Sequence, residues 1–423
     1  TEFSIQNYRE ADKRLAAYER ISAKAEAILN KLDKEAVPAF FQLVYYNVKG
    51  AALVNQMTLN AQKNRLYASQ KRSAANLLRS RVKAYGDSLE IITKRYNSLL
   101  NGKWQGMMSL IHGGARSFER ARTDSVSLSP VPTLGVSCEA ADNMKGVSNV
   151  HVIPCFNKYL PQSYYVDVFN SGMGKLKWKA VPSDPWILVN KKSGATYSEE
   201  RINVSVDWSK VPVGESVSGS IDISSGSGEK QTVFVSVFNP ETPSVEELKG
   251  LYVENNGYVS IDATGFHRKR EDANIKFDVV EGLGFDNKVM RLGDAFAKTP
   301  YLDGLILTSN YVAPVRGDKY PVLEYDFYSF QTGPVDVYTY MMPIFPLDNE
   351  HGSRYGVMVD NSPVYLPEAG ATYYSTPWIQ SVLRNCRINK TTHFINKPGK
   401  HTVKIYCAHP GMMLQKIVVD FGG

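Results

Sequence analysis

Cysteine is scarce: the chain carries four, Cys138, Cys155, Cys386 and Cys407, and none of their spacings suits a metal. That excludes a zinc module and a disulfide-dense scaffold, and leaves either two disulfide pairs or buried free thiols in β-sheet. No apolar run approaches the ~20 residues that cross a bilayer as a helix, so no membrane span is expected. Residue 1 is a threonine with no hydrophobic leader behind it, which predicts a leader removed or a piece cut from something longer. Signatures of chemistry are missing too. There is no Gly-x-Ser-x-Gly elbow, and the seven histidines, among them His112, His267, His351, His393, His401 and His409, form no His-x-x-x-His pair. Gly226-Ser227-Gly228 lacks the lysine and helix of a phosphate loop. No metal and no cofactor is expected. With 49 basic against 42 acidic residues the net charge is +7, a bias that favours anionic partners. It falls short of a nucleic-acid-binding composition, and basic residues do not interleave with aromatics, so no nucleic-acid partner is expected.

What is present is enough for ordinary cores: 423 residues, 43% of them hydrophobic, imply two to four domains at ~150 residues each. Tyr8, Ala11, Leu15, Tyr18, Ala25, Ile28 and Leu32 fall on one helical stripe. Pro38 suits the first turn of a second helix, continued by Phe41, Val44, Tyr45, Val48, Ala52 and Asn55. Residues 1–122 are therefore predicted to be a bundle of four or five helices, with Gly50 and Gly86 as possible breaks and Gly102 as the C-terminal stop. Between Asn60 and Lys83 stand Lys63, Arg65, Lys71, Arg72, Arg79, Arg81 and Lys83 without one acidic residue. This positive stretch reads as a solvated helix face, a dock for an acidic neighbouring domain, or a surface that attracts an anionic polymer.

After Ala121 the period changes. The Ser/Pro stretch Ser125 to Pro132 cannot continue a helix, and short alternating strands follow at 165–169, 203–208, 219–223 and 232–237. They predict an immunoglobulin-like β-sandwich over 131–240, ending in a second linker at Asn239–Pro243. Strands again dominate 246–423, most clearly at 322–328, 335–340, 355–359 and 401–406, with one short helix near 378–383. That pattern predicts a C-terminal jelly-roll-like sandwich. Nothing alternates strand and helix as a (β/α)₈ barrel must over its ~250 residues.

Several strings recur in order along this frame. Gly102-Lys103-Trp104-Gln105-Gly106-Met107-Met108 closes the helices, Tyr165 to Asn170 and Val204 to Trp208 lie in the first sandwich, and Gly257 to Ile261 and His409 to Asp420 lie in the second. Together they resemble glycoside hydrolase family 115, the xylan α-glucuronidases, over nearly the whole chain. The resemblance implies the C-terminal half of an enzyme that removes glucuronic or 4-O-methylglucuronic acid from xylan with inversion. Its catalytic barrel, which in the family carries the catalytic acids, lies upstream and is not in this chain. It further implies a secreted or periplasmic setting, glucuronoxylan or a related acidic polysaccharide as partner, and domains that brace the barrel and supply a homodimer surface. The rival reading is a non-catalytic carbohydrate-binding or scaffold protein that shares the architecture.

No residue is assigned a catalytic role: Glu324, Asp326, Asp348, Glu350 and Asp360 lie on strands and polar loops with no spacing that marks a pair. The predicted substrate-contacting residues are Lys103, Trp104, Met108 and His112. Trp104 can stack on a sugar ring and Lys103 can meet a uronate carboxylate, while the competing reading packs Trp104 and the methionines into the bundle's end. Family members follow this motif with His-Ile-Gly-Tyr and a tryptophan, whereas here His112-Gly113-Gly114-Ala115 and Phe118 stand. In the last domain Asp262 is the one carboxylate where relatives show Glu-Ala-Glu, which implies a weakened or absent calcium site. Tyr338, Tyr340, Tyr373, Tyr374 and Trp378 are candidates for an aromatic platform or for ordinary sandwich packing.

Overall fold

The computed structural model describes residues 3–109, 121–139, 151–297, 312–313, 320–345 and 353–423. They divide into two compact units, Thr1–Pro240 and Glu241–Gly423.

The first unit begins with helices α1 (Glu10–Leu29), α2 (Val37–Phe40), α3 (Tyr46–Ser69) and α4 (Ala74–Gly102). α2 starts with proline in its first turn and runs through a single π-helical segment, Phe41–Tyr45, into α3. α1 buries only Ala11, Ser22 and Ala25, and leaves Ile21 and Ile28 exposed, with Tyr8 exposed just ahead of it, so the predicted apolar stripe is only partly used. Gly50 and Gly86 do not break the bundle; they lie inside α3 and α4, where a helix tolerates glycine at a modest cost. The reversals fall instead at 30–36 and at 70–73, the second with Lys71 at φ 57°.

Two facing sheets follow. One orders Leu134–Cys138, Tyr164–Asn170, Glu199–Val206 and Ile187–Val189; the other carries Lys230–Asn239, Gly214–Ser225, Leu176–Pro182 and Ser193–Thr196 in sequence across the sheet. Val166, Val168, Ile202, Val204, Trp178, Trp186, Ile221, Ile223, Val233 and Val235 meet between them, as period-two strands require. Tyr164–Asn170 departs from that alternation and is buried nearly throughout, because its outward residues face the helices. Arg72 enters there, donating to Asp167 at 3.1 Å and Glu199 at 2.9 Å, while Arg201 grips Asp167 from the other side at 2.8 and 3.1 Å. The Ser73 N–H adds a bond to the Asn170 carbonyl at 2.9 Å. The Ser/Pro stretch is likewise tied down: Asn64 and Asn76 each exchange paired hydrogen bonds with the backbone of Asp124 and Val126.

Among the described residues the second unit is a sandwich of a seven-stranded and a six-stranded sheet. Its first ladder partner and last strand, Tyr258–Asp262 and Met412–Asp420, pair antiparallel with Val259 opposite Val419 and Ile261 opposite Ile417. Gly333–Met341 flanks the same last strand, and α5 (Thr376–Arg384), capped by Ser375, precedes Arg387–Ile395. The core joins both sheets through Tyr325, Phe327, Val337, Tyr355, Ile405, Leu414 and Ile417.

Candidate functional site

α4 ends where its backbone turns left-handed at Leu100 (φ 51°), Asn101 (φ 58°) and Gly102 (φ 83°). A left-handed residue other than glycine costs ~1 kcal/mol, so the turn needs external support. Asn97 supplies it: its amide donates to the Met108 carbonyl at 2.9 Å and its oxygen accepts the Met108 N–H at 3.1 Å. The chain is thereby folded back, and Trp104 lies against Tyr96 with ring centroids 6.2 Å apart. Trp104 and Met108 pack half-buried on Phe41, Tyr45 and Tyr96. Lys103 is exposed, its ammonium 5.4 Å from the Trp104 ring centre, and Met107 is also exposed. His112, with the loop after it, lies outside the described residues.

The basic run does not act as one field. Arg72 is buried in the ion network, Lys63 pairs with Asp12 at 3.7 Å, and Arg65 donates to the Arg122 carbonyl at 2.9 Å. What remains on α4 is a helical face: Asn76, Arg79, Ser80 and Lys83 stand at i, i+3, i+4 and i+7 and therefore point the same way. With Val82, Ala121 and Thr123 they line a cavity of about 500 Å³. Neither Arg79 nor Lys83 has an ion pair among the described residues. Sequence reasoning saw the charges but not this cavity; the spacing from 76 to 83 was the available signal.

The carboxylates of the second unit are engaged. Glu324 accepts from Arg268 at 2.7 Å, and Asp326 takes a bidentate Arg268 at 2.5 and 2.7 Å as well as Lys400 at 3.1 Å. The Arg268 hydrogen bonds hold Asp326 well below the usual carboxylate range. Burial would raise Asp360, but bonds from His401 at 2.8 Å and the Thr402 N–H at 2.9 Å outweigh it and keep its pKa low. Asp348 and Glu350 lie outside the described residues. A general acid at neutral pH needs the opposite shift. Among the described carboxyls with a resolved shift only Glu139 is raised, by burial, and it is held by the backbone N–H groups of Tyr8 and Tyr165 at 3.2 and 3.3 Å.

One Ser–His contact escaped the sequence reading. Ser362 Oγ lies 3.0 Å from His393 Nδ1, and Thr391 Oγ1 lies 2.9 Å from Nε2. Burial lowers His393 to about 4, and its second nitrogen meets a hydroxyl where an orienting carboxylate would be needed, so the ring is no base for Ser362 near neutral pH. Asp262 has both oxygens occupied, by Thr264 at 2.8 and 2.9 Å and by Lys288 at 2.8 Å. All four cysteines are free thiols, with Cys138 and Cys407 pushed up to about 12 by burial. Of the five aromatic residues considered, the fold joins Tyr373, Tyr374 and Trp378, and adds Phe345, at centroid distances of 4.1–6.3 Å. Tyr338 and Tyr340 lie half-buried on Gly333–Met341 instead.

Comparison with known proteins bears on the frame that holds these groups. Residues 251–423 match the glycosyl hydrolase family 115 C-terminal domain. No curated protein matches. Among solved structures, the chain is similar to a family GH115 4-O-methyl-α-glucuronidase with specificity for decorated arabinogalactans, at 17% identity and a TM-score of 0.51 over 99% of this chain and 34% of that one. The chain thus spans about a third of that structure's length. Weaker likenesses include a family 35 carbohydrate-binding module from Clostridium thermocellum, at 7% identity and TM-score 0.23 over 38% of this chain and 96% of that one. Another is the C-terminal CBM6 of a Zobellia galactanivorans laminarinase, at 11% identity and TM-score 0.23 over 38% of this chain and 98% of that one.

Proposed function

We propose that this chain is the ancillary, C-terminal part of an α-glucuronidase-like glycoside hydrolase, itself without hydrolytic activity, serving a catalytic barrel that lies upstream in the complete protein. The observation that carries this is the likeness to the family 115 structure along 99% of this chain but only 34% of that one, with the family's C-terminal domain matched at 251–423. Two features of the chain support it. In the second unit Glu324, Asp326 and Asp360 are each held by a basic side chain, which stabilises the charged form and unfits them as the protonated general acid of a glycosidase pair. The bundle also leaves Leu43, Ile91 and Met107 more than half exposed, apolar surface suited to packing against another domain. The substrate of the complete enzyme is then a polysaccharide that bears glucuronic or 4-O-methylglucuronic acid, handled outside the cytoplasm, whether on a xylan or an arabinogalactan backbone.

A second reading, a carbohydrate-binding protein without any enzymatic parent, draws support from Phe345, Tyr373 and Tyr374, whose rings are exposed beside Trp378. The two readings share one consequence: the purified chain releases no uronic acid from glucuronoxylan. Release that stays with the protein through repurification overturns both. They part on the gene. An open reading frame for a barrel joined ahead of residue 1 supports the ancillary reading, and a signal peptide alone there supports the second.

A further inference from the structure

We propose that the cavity beside α4 is a binding site for a sugar acid, in which Arg79 and Lys83 receive the carboxylate. Its volume of about 500 Å³ lies within the ~300–1,000 Å³ that small-molecule sites span. The lining has the mixture such a ligand needs. Two cations one helical turn apart meet the anion, Ser80 and Thr123 offer hydroxyl groups to ring hydroxyls, and Val82 and Ala121 give an apolar wall for the C–H face.

The charges are available for a ligand. Elsewhere in the basic run the fold assigns partners, to Lys63, Arg65 and Arg72, whereas Arg79 and Lys83 have no ion pair among the described residues. The rest of the lining, Ala121 and Thr123, leads into a stretch that the helices hold: Asn64 exchanges two hydrogen bonds with the backbone of Asp124 at 2.8 and 3.0 Å, and Asn76 two with that of Val126 at 2.9 and 3.0 Å. The cavity therefore comes preformed, which spares a ligand the cost of ordering it. That the acid is a uronate rather than another small anion rests on the function proposed above; the cavity and its cations do not.

The test is titration calorimetry of the whole chain with methyl glucuronoside, methyl glucoside and acetate at low salt. The glucuronoside is expected to bind, with the glucoside and acetate each about tenfold weaker or worse, and to weaken as salt rises. The double variant Arg79→Gln/Lys83→Gln should lose about tenfold or more in affinity while keeping its melting curve, since glutamine suits an exposed helix position. Arg81→Gln, on the same helix but not lining the cavity, should bind as the parent does. No binding of the glucuronoside, equal binding of acetate, or an equal loss in Arg81→Gln each overturns the proposal. These outcomes are separable from the fate of the ancillary reading, which falls only if the chain itself releases uronic acid.

Discussion

His393 shows how burial of one residue becomes a property of the unit that holds it. Desolvation keeps the folded ring near 4, against 6.5 for an unfolded one, although the Asp336 charge pulls the other way. Between those values the unfolded chain binds the extra proton. The contribution is therefore complete above pH 6.5 and is lost as pH falls toward 4, at ~1.4 kcal/mol per decade, on the order of 3 kcal/mol in all. Urea titrations of the parent and of His393→Gln from pH 7 to 4 check this: the variant should show the shallower fall in stability. A second pair of substitutions separates packing from ligand contact at the bundle's end. Trp104→Ala should cost about 2 kcal/mol, less than the ~3–5 of a fully buried aromatic, and Lys103→Ala should stay within ~0.5 kcal/mol in the same denaturation series. Equal losses would show that Lys103 is structural and that its exposure misleads.

Elements meet in this protein through polar groups as well as apolar faces. The turn between α3 and α4 carries Arg72 into the strand Tyr164–Asn170, where its guanidinium lies 4.1 Å from the Tyr67 ring centre and 4.5 Å from that of Phe169. Removing one partner of a buried ion pair leaves the other uncompensated, at ~3–5 kcal/mol. Arg201 still holds Asp167 at 2.8 and 3.1 Å, so Arg72→Met should destabilise the first unit by less than that amount. It should also split one unfolding transition into two, helices by circular dichroism before the sandwich by fluorescence of Trp178 and Trp186. Coincident transitions in the variant would mean that the apolar contacts alone couple the layers. Helix and strand positions were legible because periods of 3.6 and 2 are written in the chain. The strand at 165–169 was legible as a strand, but its burial on both faces was not, since its outward face is covered by residues about a hundred positions away.

For the whole molecule the two stretches read as linkers are unequal. Residues 121–133 are clamped by Asn64, Asn76 and Asn170, whereas Glu241, Thr242 and Ser244 are exposed at the boundary of the compact units. Limited proteolysis should cut within 241–246 before 121–133, and mass analysis of the first fragments decides it. Earlier cutting at 121–133 would show that the asparagine clamps open readily in solution.

The sequence alone determined the order helices, sandwich, sandwich, the positions of eight of the strands, and the likeness to family 115. Its distant strings Gly257 to Ile261 and His409 to Asp420 turn out to be paired strands that close one unit. Only the tertiary structure decided which charges are available. Seven basic residues look alike in a list, but an ion pair depends on where the chain returns, and folding gives Arg72 to Asp167 and Glu199 while leaving Arg79 and Lys83 at a cavity. It likewise separated Tyr338 and Tyr340 from Tyr373, Tyr374 and Trp378, because side chains on one strand are held to the sheet's spacing while a loop and a helix turn can gather rings from any distance along the chain.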